Sequence, residues 1–375
     1  ISTSIYCLET AMKTKLGVAL ATAMALAGPA CAQSSVTLYG IIDTGVSYYN
    51  NAAHGGSFTG MPTLTGEVPS RWGLRGTEDL GGGYQAFFVL ENGFQPGTGA
   101  LNYGGRLFGR QANVGVNSPF GALTLGRQMN MSMIVLTNAD VIGPSIHSMA
   151  DFDSYLPNAR SDNAIGYKGT FHGVTLGATY SFGRDAAGPA GPSATGCAGQ
   201  VPGDIVACRQ YTAMLAYDAS NFGIAASHDV MRGGGGALAP LNNPAYTDTR
   251  DIVAGYVKIG PAKLGAGWIR RNLAAAEHLQ ADIVFAGGTY YATPYFALDL
   301  QGVRYLQRRE NSEGGTNATL LVGRANYFLS KRTTVYTSVG YMFNSTLAAN
   351  AVAASGTVGT GMNQLGVMAG IQQKF

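Results

Sequence analysis

The side chains that could do chemistry fall into two unequal sets. The first comprises bases, nucleophiles and metal ligands, and it is sparse. Five histidines are present, His54, His147, His172, His228 and His278, and most fall in segments that read as loops or turns. A nucleophile needs a base that is itself oriented by an acid, and no histidine here sits in a recognisable partner motif. H-E-x-x-H, P-loop and C-x-x-C patterns are absent from the sequence. The expectation is no catalytic residue, no metal ligand and no cofactor.

The second set is ionic. Arg71 and Arg75 are four apart, as are Arg106 and Arg110, and Arg160 precedes Asp162 by two. Residues of equal parity share one face of a strand. Arginine keeps its charge at any relevant pH. With Asp43, Glu91, Asp140, Asp151 and Asp153 as counter-charges, such residues make a standing field rather than a reaction. Opposed charges at a constriction orient dipolar solutes and set ion preference. The alternative reading of each arginine is a structural ion pair.

A field of this kind needs strands to hold it. Gly361 to Phe375 shows the pattern most clearly. Leu365, Val367, Ala369, Ile371 and Phe375 share one face; Gln364, Gly366, Met368, Gly370, Gln372 and Lys374 share the other. The length suits a tilted strand crossing a bilayer. A lone strand in lipid leaves backbone groups unpaired, so the last strand must pair with the first and close a barrel. The edge of a soluble sheet, or a soluble lectin-like sandwich, is the competing reading.

Similar segments recur from end to end. They read as sixteen strands near 36–49, 69–78, 83–94, 106–117, 121–128, 161–170, 173–183, 209–218, 222–231, 250–260, 263–272, 280–289, 293–307, 317–328, 332–344 and 362–375. Tight turns rich in Gly, Pro, Asn and Ser alternate with long polar connections at 50–68, 95–105, 129–160, 184–208, 232–249, 308–316 and 345–361. Short turns at one end and long loops at the other are the layout of an outer-membrane barrel. The expected fold is all-β, a sixteen-stranded antiparallel transmembrane barrel with short periplasmic turns and long extracellular loops.

Residues 1–32 read as an N-terminal extension and cleaved secretory signal. Met12 precedes Lys13, Lys15, the apolar run Leu16 to Ala27, and Ala30-Cys31-Ala32 before Gln33. The barrel domain is then 33–375. Two of the four cysteines lie in the discarded part. Cys197 and Cys208 remain in a Gly/Pro-rich stretch, and in an oxidising compartment they read as a loop disulfide. Beyond the signal, 22 Lys and Arg face 20 Asp and Glu with no long basic run. Nucleic acid is therefore not an expected partner. Only 12% of all residues are charged, while 54 are Gly and 20 are Tyr. A lipid face alternating with a wet lumen gives this average.

Several stretches resemble the general porins of Gram-negative bacteria, in particular the β-proteobacterial type. They are Ser35-Val-Thr-Leu-Tyr-Gly-Ile-Ile-Asp43, Ser70-Arg-Trp-Gly-Leu-Arg-Gly-Thr-Glu-Asp-Leu-Gly81, Phe87-Phe-Val-Leu-Glu-Asn-Gly-Phe94, Gly105-Arg-Leu-Phe-Gly-Arg-Gln111, Leu125-Gly-Arg-Gln128 and the terminal Phe375. The resemblance implies a homotrimeric channel whose third loop, 129–160, folds inward to narrow the pore. It implies that Phe375 belongs to the strand read by the barrel-assembly machinery, and that Arg110 lines the pore. The chain departs from the pattern at Asn113, where an outward aromatic is expected.

Parity then assigns the interior. Asp43, Arg71, Arg75, Glu91, Arg160, Asp162 and Lys168 face the lumen. Arg106 and Arg110 share parity with Val114 and Val116, which leaves the fourth strand ambiguous. Asp140, Asp151 and Asp153 of the third loop are expected to oppose the wall arginines, and Arg127 to anchor the loop or the subunit contact. Gln111 and Asn113 read as outward and polar, pointing to the first five strands as the subunit interface. Tyr48, Trp72, Tyr180, Trp268 and Phe343 suit interfacial girdles. The expected function is an outer-membrane channel for passive diffusion of small hydrophilic solutes and ions, weakly anion-preferring, in contact with outer-membrane lipids and lipopolysaccharide. A substrate-specific channel and an outer-membrane barrel hydrolase are the alternatives.

Overall fold

The computed structural model describes residues 35–53, 55–185, 195–309 and 315–375. The signal segment 1–32 lies outside them. Seventeen strands form one antiparallel sheet: β1 Ser35–Tyr49, β2 Phe58–Gly60, β3 Arg71–Gly81, β4 Tyr84–Gly93, β5 Gln111–Ser118, β6 Gly121–Met129, β7 Arg160–Phe171, β8 Val174–Ser181, β9 Gln210–Asp218, β10 Phe222–Arg232, β11 Thr247–Ile259, β12 Ala262–Ala274, β13 His278–Thr293, β14 Phe296–Arg309, β15 Ala318–Phe328, β16 Thr333–Asn344 and β17 Gln364–Lys374. Sixteen of these are the expected strands. The extra one, β2, is a three-residue piece of the first long connection that pairs with Ser47 to Tyr49 of β1. One short helix, α1 (Met131–Leu136), opens the third long connection.

The sheet closes where the first strand meets the last. β1 pairs with β17 from Ile41↔Lys374 to Tyr49↔Gly366. Closure leaves no unpaired long edge, which a spanning sheet cannot tolerate in hydrocarbon. The pleat sorts side chains as parity demands. Val253, Leu264, Val284, Leu321 and Ile371 stay exposed on the outside, and Leu300 keeps 67% of its surface open.

The inside is less polar than alternation predicts. Inward Ile252, Ile269, Ile283, Phe285, Val303, Leu320, Met342 and Met368 are buried. They are covered by Met131, Val135, Leu136, Ile142, Ile146, Met149, Phe152 and Leu156 of the third connection. The loop therefore folds inward and coats the wall from β9 round to β17. Each such side chain contributes roughly 1.5–3 kcal/mol when fully buried. Close approach is made possible by inward glycines. A Cβ at Gly265 would lie 2.0 Å from the Ala139 carbonyl oxygen, and Cβ atoms at Gly340 and Gly366 would meet the His147 ring at 2.9 and 2.7 Å.

Two expectations need correction. The fourth long strand begins at Gln111, so 106–110 is loop and parity with Val114 does not apply to Arg106 or Arg110. Asn113 is not outward. It stands opposite Gly126 and donates to the Arg127 carbonyl at 2.9 Å, while Val114 next to it is 55% exposed. Gln111 shares its parity. Neither residue supports a subunit contact.

Candidate functional site

The third connection leaves the wall of β1 and β3–β7 uncovered, and the arginines stand there. Glu91 on β4 is their first counter-charge. It accepts Arg110 Nε at 2.6 Å and the Tyr39 hydroxyl at 3.0 Å, with Arg71 Nε at 3.8 Å. Tyr103, from the second long connection, gathers the others. Its ring centroid lies 5.2 Å from the Arg160 guanidinium, 5.9 Å from Arg110 and 6.0 Å from Arg127. Its hydroxyl accepts from Arg110 Nη1 at 3.0 Å and donates to Asn158 Oδ1 at 3.2 Å. Burial pushes the Tyr103 phenol up, but the facing guanidiniums of Arg110, Arg160 and Arg127 outweigh it and bring it below the ordinary tyrosine value.

Arg160 donates Nε to the Arg110 carbonyl at 2.9 Å, and its two terminal nitrogens are buried with no hydrogen-bond partner among the described residues. Arg127 pairs with Asp162. Arg106 reaches Asp185 at 2.5 Å and Asp162 at 3.5 Å. A bulge in β6 after Gly126, whose φ is +113°, turns this end of the strand. Five guanidiniums thus meet three carboxylates, Glu91, Asp162 and Asp185. Arg75 lies further along β3, exposed and stacked 5.2 Å over Tyr39.

The expected pairing of loop carboxylates against this wall is largely overturned. Asp153 points to the far wall, accepting Arg250 Nε at 2.7 Å and Nη2 at 3.1 Å, while Arg250 and Arg271 also hold Asp248. Burial would raise the Asp153 carboxyl, but Arg250 and Arg271 hold it below the usual range. Asp140 caps its own loop, accepting from the backbone of Ile142 and Gly143 at 3.2 and 3.0 Å, and burial raises its pKa. Asp43 faces inward as expected, but it is consumed by structure. Tyr336 donates to it at 2.5 Å, Gln372 at 3.0 Å, and the backbones of Glu67 and Val68 at 3.2 and 3.1 Å. Further contacts pin the loop: Arg324 to the carbonyls of Val141 and Ile142, His147 to Ser338 at 2.9 Å, and Tyr155 to Asp229 at 2.6 Å.

Only Asp151 shares space with the arginines. A cavity of about 490 Å³ at the long-loop end is lined by Tyr103, Arg106, Arg127, Asp151, Asn158 and Asp185, among others. Burial pushes the Asp151 carboxyl well above its ordinary range. Arg110 and Arg160 lie behind Tyr103, 5% and 2% exposed. Arg127, read from the sequence as an anchor, lies within β6, donates Nε to the Gly109 carbonyl of the second long connection at 2.7 Å, and also lines the cavity. Cys197 and Cys208 form a disulfide in the fourth long connection. No group of three or more metal-ligating side chains occurs among the described residues.

A closed sixteen-strand wall with an inward third loop and a one-sided arginine cluster is matched in known proteins. The family of Gram-negative porins matches residues 19–347. Outer membrane porin protein 32 of Delftia acidovorans is 32% identical over 97% of this chain and 100% of that protein. The chain belongs to the Gram-negative porin family. A Bordetella pertussis outer membrane porin protein is 39% identical over 193 residues, and that match spans about half of its length (48%) and 45% of this chain. Among solved structures, an anion-selective porin from Comamonas acidovorans superimposes with a TM-score of 0.75 at 27% identity, covering 91% of this chain and 100% of that one. The porin resides in the outer membrane, and the barrel encloses its diffusion channel.

Proposed function

We propose that this porin passes small hydrophilic solutes and ions by passive diffusion, with a weak preference for anions set at the Tyr103 cluster. The carrying observation is the excess of guanidinium over carboxylate there: Arg71, Arg106, Arg110, Arg127 and Arg160 against Glu91, Asp162 and Asp185. Charge on the third loop does not cancel it, because Asp153 is spent on Arg250, Asp140 on its own backbone, and burial favours the neutral form of Asp151, the third-loop carboxylate in the same cavity. Fields focus in a narrow mouth with low-dielectric walls, and charges beyond a Debye length of about 8–10 Å count little. The name of the Comamonas acidovorans relative, an anion-selective porin, agrees with this reading.

The chain acts as a channel, and the polar clusters described in its interior are ion pairs and caps. It assembles as a homotrimer, as membership of the family implies. Partners are outer-membrane lipid, lipopolysaccharide and the barrel-assembly machinery. Reversal potentials in planar bilayers under a salt gradient test the preference. A clearly cation-selective wild type refutes it.

A further inference from the structure

The outer wall is apolar over most of its height, and one level breaks the pattern. On β10 to β13 the directly opposed outward residues are His228, Asp251, Arg270 and Asp282. His228 Nδ1 lies 2.6 Å from Asp251 Oδ1, and Arg270 grips Asp282 through Nε at 2.9 Å and Nη2 at 3.2 Å. Trp268 Nε1 donates to the same carboxylate at 2.9 Å, with the Arg270 guanidinium 5.0 Å over its ring. On β14 the residue opposite Asp282 is Leu306; Arg304 stands two residues nearer the periplasmic end, opposite Val284, and donates to Thr319 at 2.6 Å. Just above, a cavity of about 300 Å³ opens between Asn272, Ala274, His278, Gln280 and Arg308. Gln280 donates to Asn272 at 3.0 Å there.

Placement gives this row a meaning. Each member lies about four residues inside the long-connection end of its strand, which at ~3.3 Å per residue and ~40° tilt is roughly 10 Å of height. On the periplasmic side of the row, at the same parity, come Val253, Leu264, Val284 and Leu300, all exposed and apolar. Charges are costly in hydrocarbon, so the row marks where hydrocarbon ends and headgroups begin. The tryptophan fits that level, since amphipathic rings favour the interface. Among the described residues of this face, Asp282 is taken by Arg270 and Asp251 by His228, while Arg304 and Arg308 stand against the single further carboxylate Glu277. Guanidinium forks match phosphate oxygens in pairs.

We propose that the outer face of β10–β14 is a docking site for the phosphate-bearing headgroup of an outer-leaflet lipid, seated between Arg270, Arg308 and His278. The proposal rests on the reading of the chain as an outer-membrane porin. It goes beyond that reading by assigning one lipid class to one set of side chains on the outer wall.

The two tryptophans make a test simple, because Trp72→Phe leaves Trp268 as the sole tryptophan, read by excitation beyond the tyrosine absorption band. The detergent-solubilised full barrel carrying Trp72→Phe is titrated with bisphosphorylated lipid A in mixed micelles. Trp268 emission should change saturably. Dephosphorylated lipid of the same acyl composition should bind at least tenfold more weakly, as should bisphosphorylated lipid A on an Arg270→Ala/Arg308→Ala variant. Arg270→Lys/Arg308→Lys should recover part of the affinity, separating lost charge from lost folding. Equal responses to the two lipids, or an unaltered response in the alanine variant, overturn the proposal. So does the same emission change with inorganic phosphate alone, which would make this a free-anion site. Conductance in planar bilayers is recorded on the same proteins. It should be unchanged in the variants, whereas failure of the porin reading would show as no conductance in the wild type whatever the lipid titration gave.

Discussion

Arg160 lies with its guanidinium 5.2 Å from the Tyr103 ring while its Nε donates to the Arg110 carbonyl at 2.9 Å, so two arginines are stacked behind one aromatic side chain. The positive charge is layered: Arg106 and Arg127 at the cavity surface, Arg110 and Arg160 beneath. A unit charge about 8 Å away in water is worth about 0.5 kcal/mol, or roughly twofold in local ion concentration. Arg106→Ala and Arg127→Ala should each lower the anion-to-cation permeability ratio by about that factor. Arg110→Ala and Arg160→Ala should move it the same way, with slight widening of the pore. Glu91→Gln should move it oppositely. Reversal potentials under a salt gradient decide this, and unchanged values for all four arginine variants would remove the cluster from the selectivity mechanism.

Asp151 makes the preference depend on pH. Burial raises its carboxyl well above the ordinary aspartate range, so in the cavity it shares with Arg106 and Arg127 it stays neutral to higher pH than a free aspartate does. Ionisation at higher pH places a negative charge beside them. Anion preference should therefore weaken as pH rises through the raised value. Asp151→Asn should abolish that dependence and keep the low-pH preference. A wild-type profile that strengthens with pH would contradict this assignment.

The barrel itself was legible because strand parity repeats sixteen times and each hairpin turn carries its own Gly, Pro, Asn or Ser signal. Asp43, Arg71 and Glu91 could be turned inward from Val36, Leu38, Trp72 and Phe88 alone. What parity could not reach is the third connection, which obeys no period. Its course is written instead in the wall, where Gly265, Gly340 and Gly366 fall at inward positions and admit loop backbone or the His147 ring. Inward Ile269, Phe285 and Leu320 were a second signal, since a wet lumen has no use for them. Parity misplaces Asn113 because it carries 106–110 as strand, although Gly105 and Gly109 flank Arg106 and Arg110 with the residues of a loop.

His147 ties the loop to β16, and acid should loosen it. Burial alone holds its imidazole down to about pKa 4, against 6.5 for an ordinary histidine. The folded state therefore prefers the neutral ring. Above about pH 6.5 both states are neutral and the stability is full. As pH falls from 6.5 toward 4 the unfolded or unseated state takes up a proton that the seated loop refuses. The loss approaches about 3 kcal/mol by linkage. Hydrogen exchange of residues 146–156 should rise over this window in wild type and be flat in His147→Gln. A wild type equally protected at pH 4.5 and 7.5 would show that the seat does not depend on the neutral ring.

Phe375 closes the seam of the barrel. Its backbone N–H donates to the Gly40 carbonyl and its carbonyl accepts from Gly40 N–H, both at 3.1 Å. Its ring lies over the same glycine, where a Cβ would be 2.3 Å from Cζ. Deletion removes two backbone bonds of about 1 kcal/mol each and the ring's packing, roughly another 1.5–3 kcal/mol at most. Against the whole β1–β17 ladder from Ile41 to Tyr49 that is a modest loss, so barrel refolded in detergent should still form and unfold only slightly earlier. In cells the effect should be larger, because the terminal strand must be recognised before any ladder exists to compensate. Outer-membrane levels of the deletion at native expression should fall several-fold, with Phe375→Tyr close to wild type and Phe375→Ala between. Normal levels in cells alongside an unstable refolded barrel would invert the argument, assigning Phe375 to closure of the seam and leaving recognition to the residues before it.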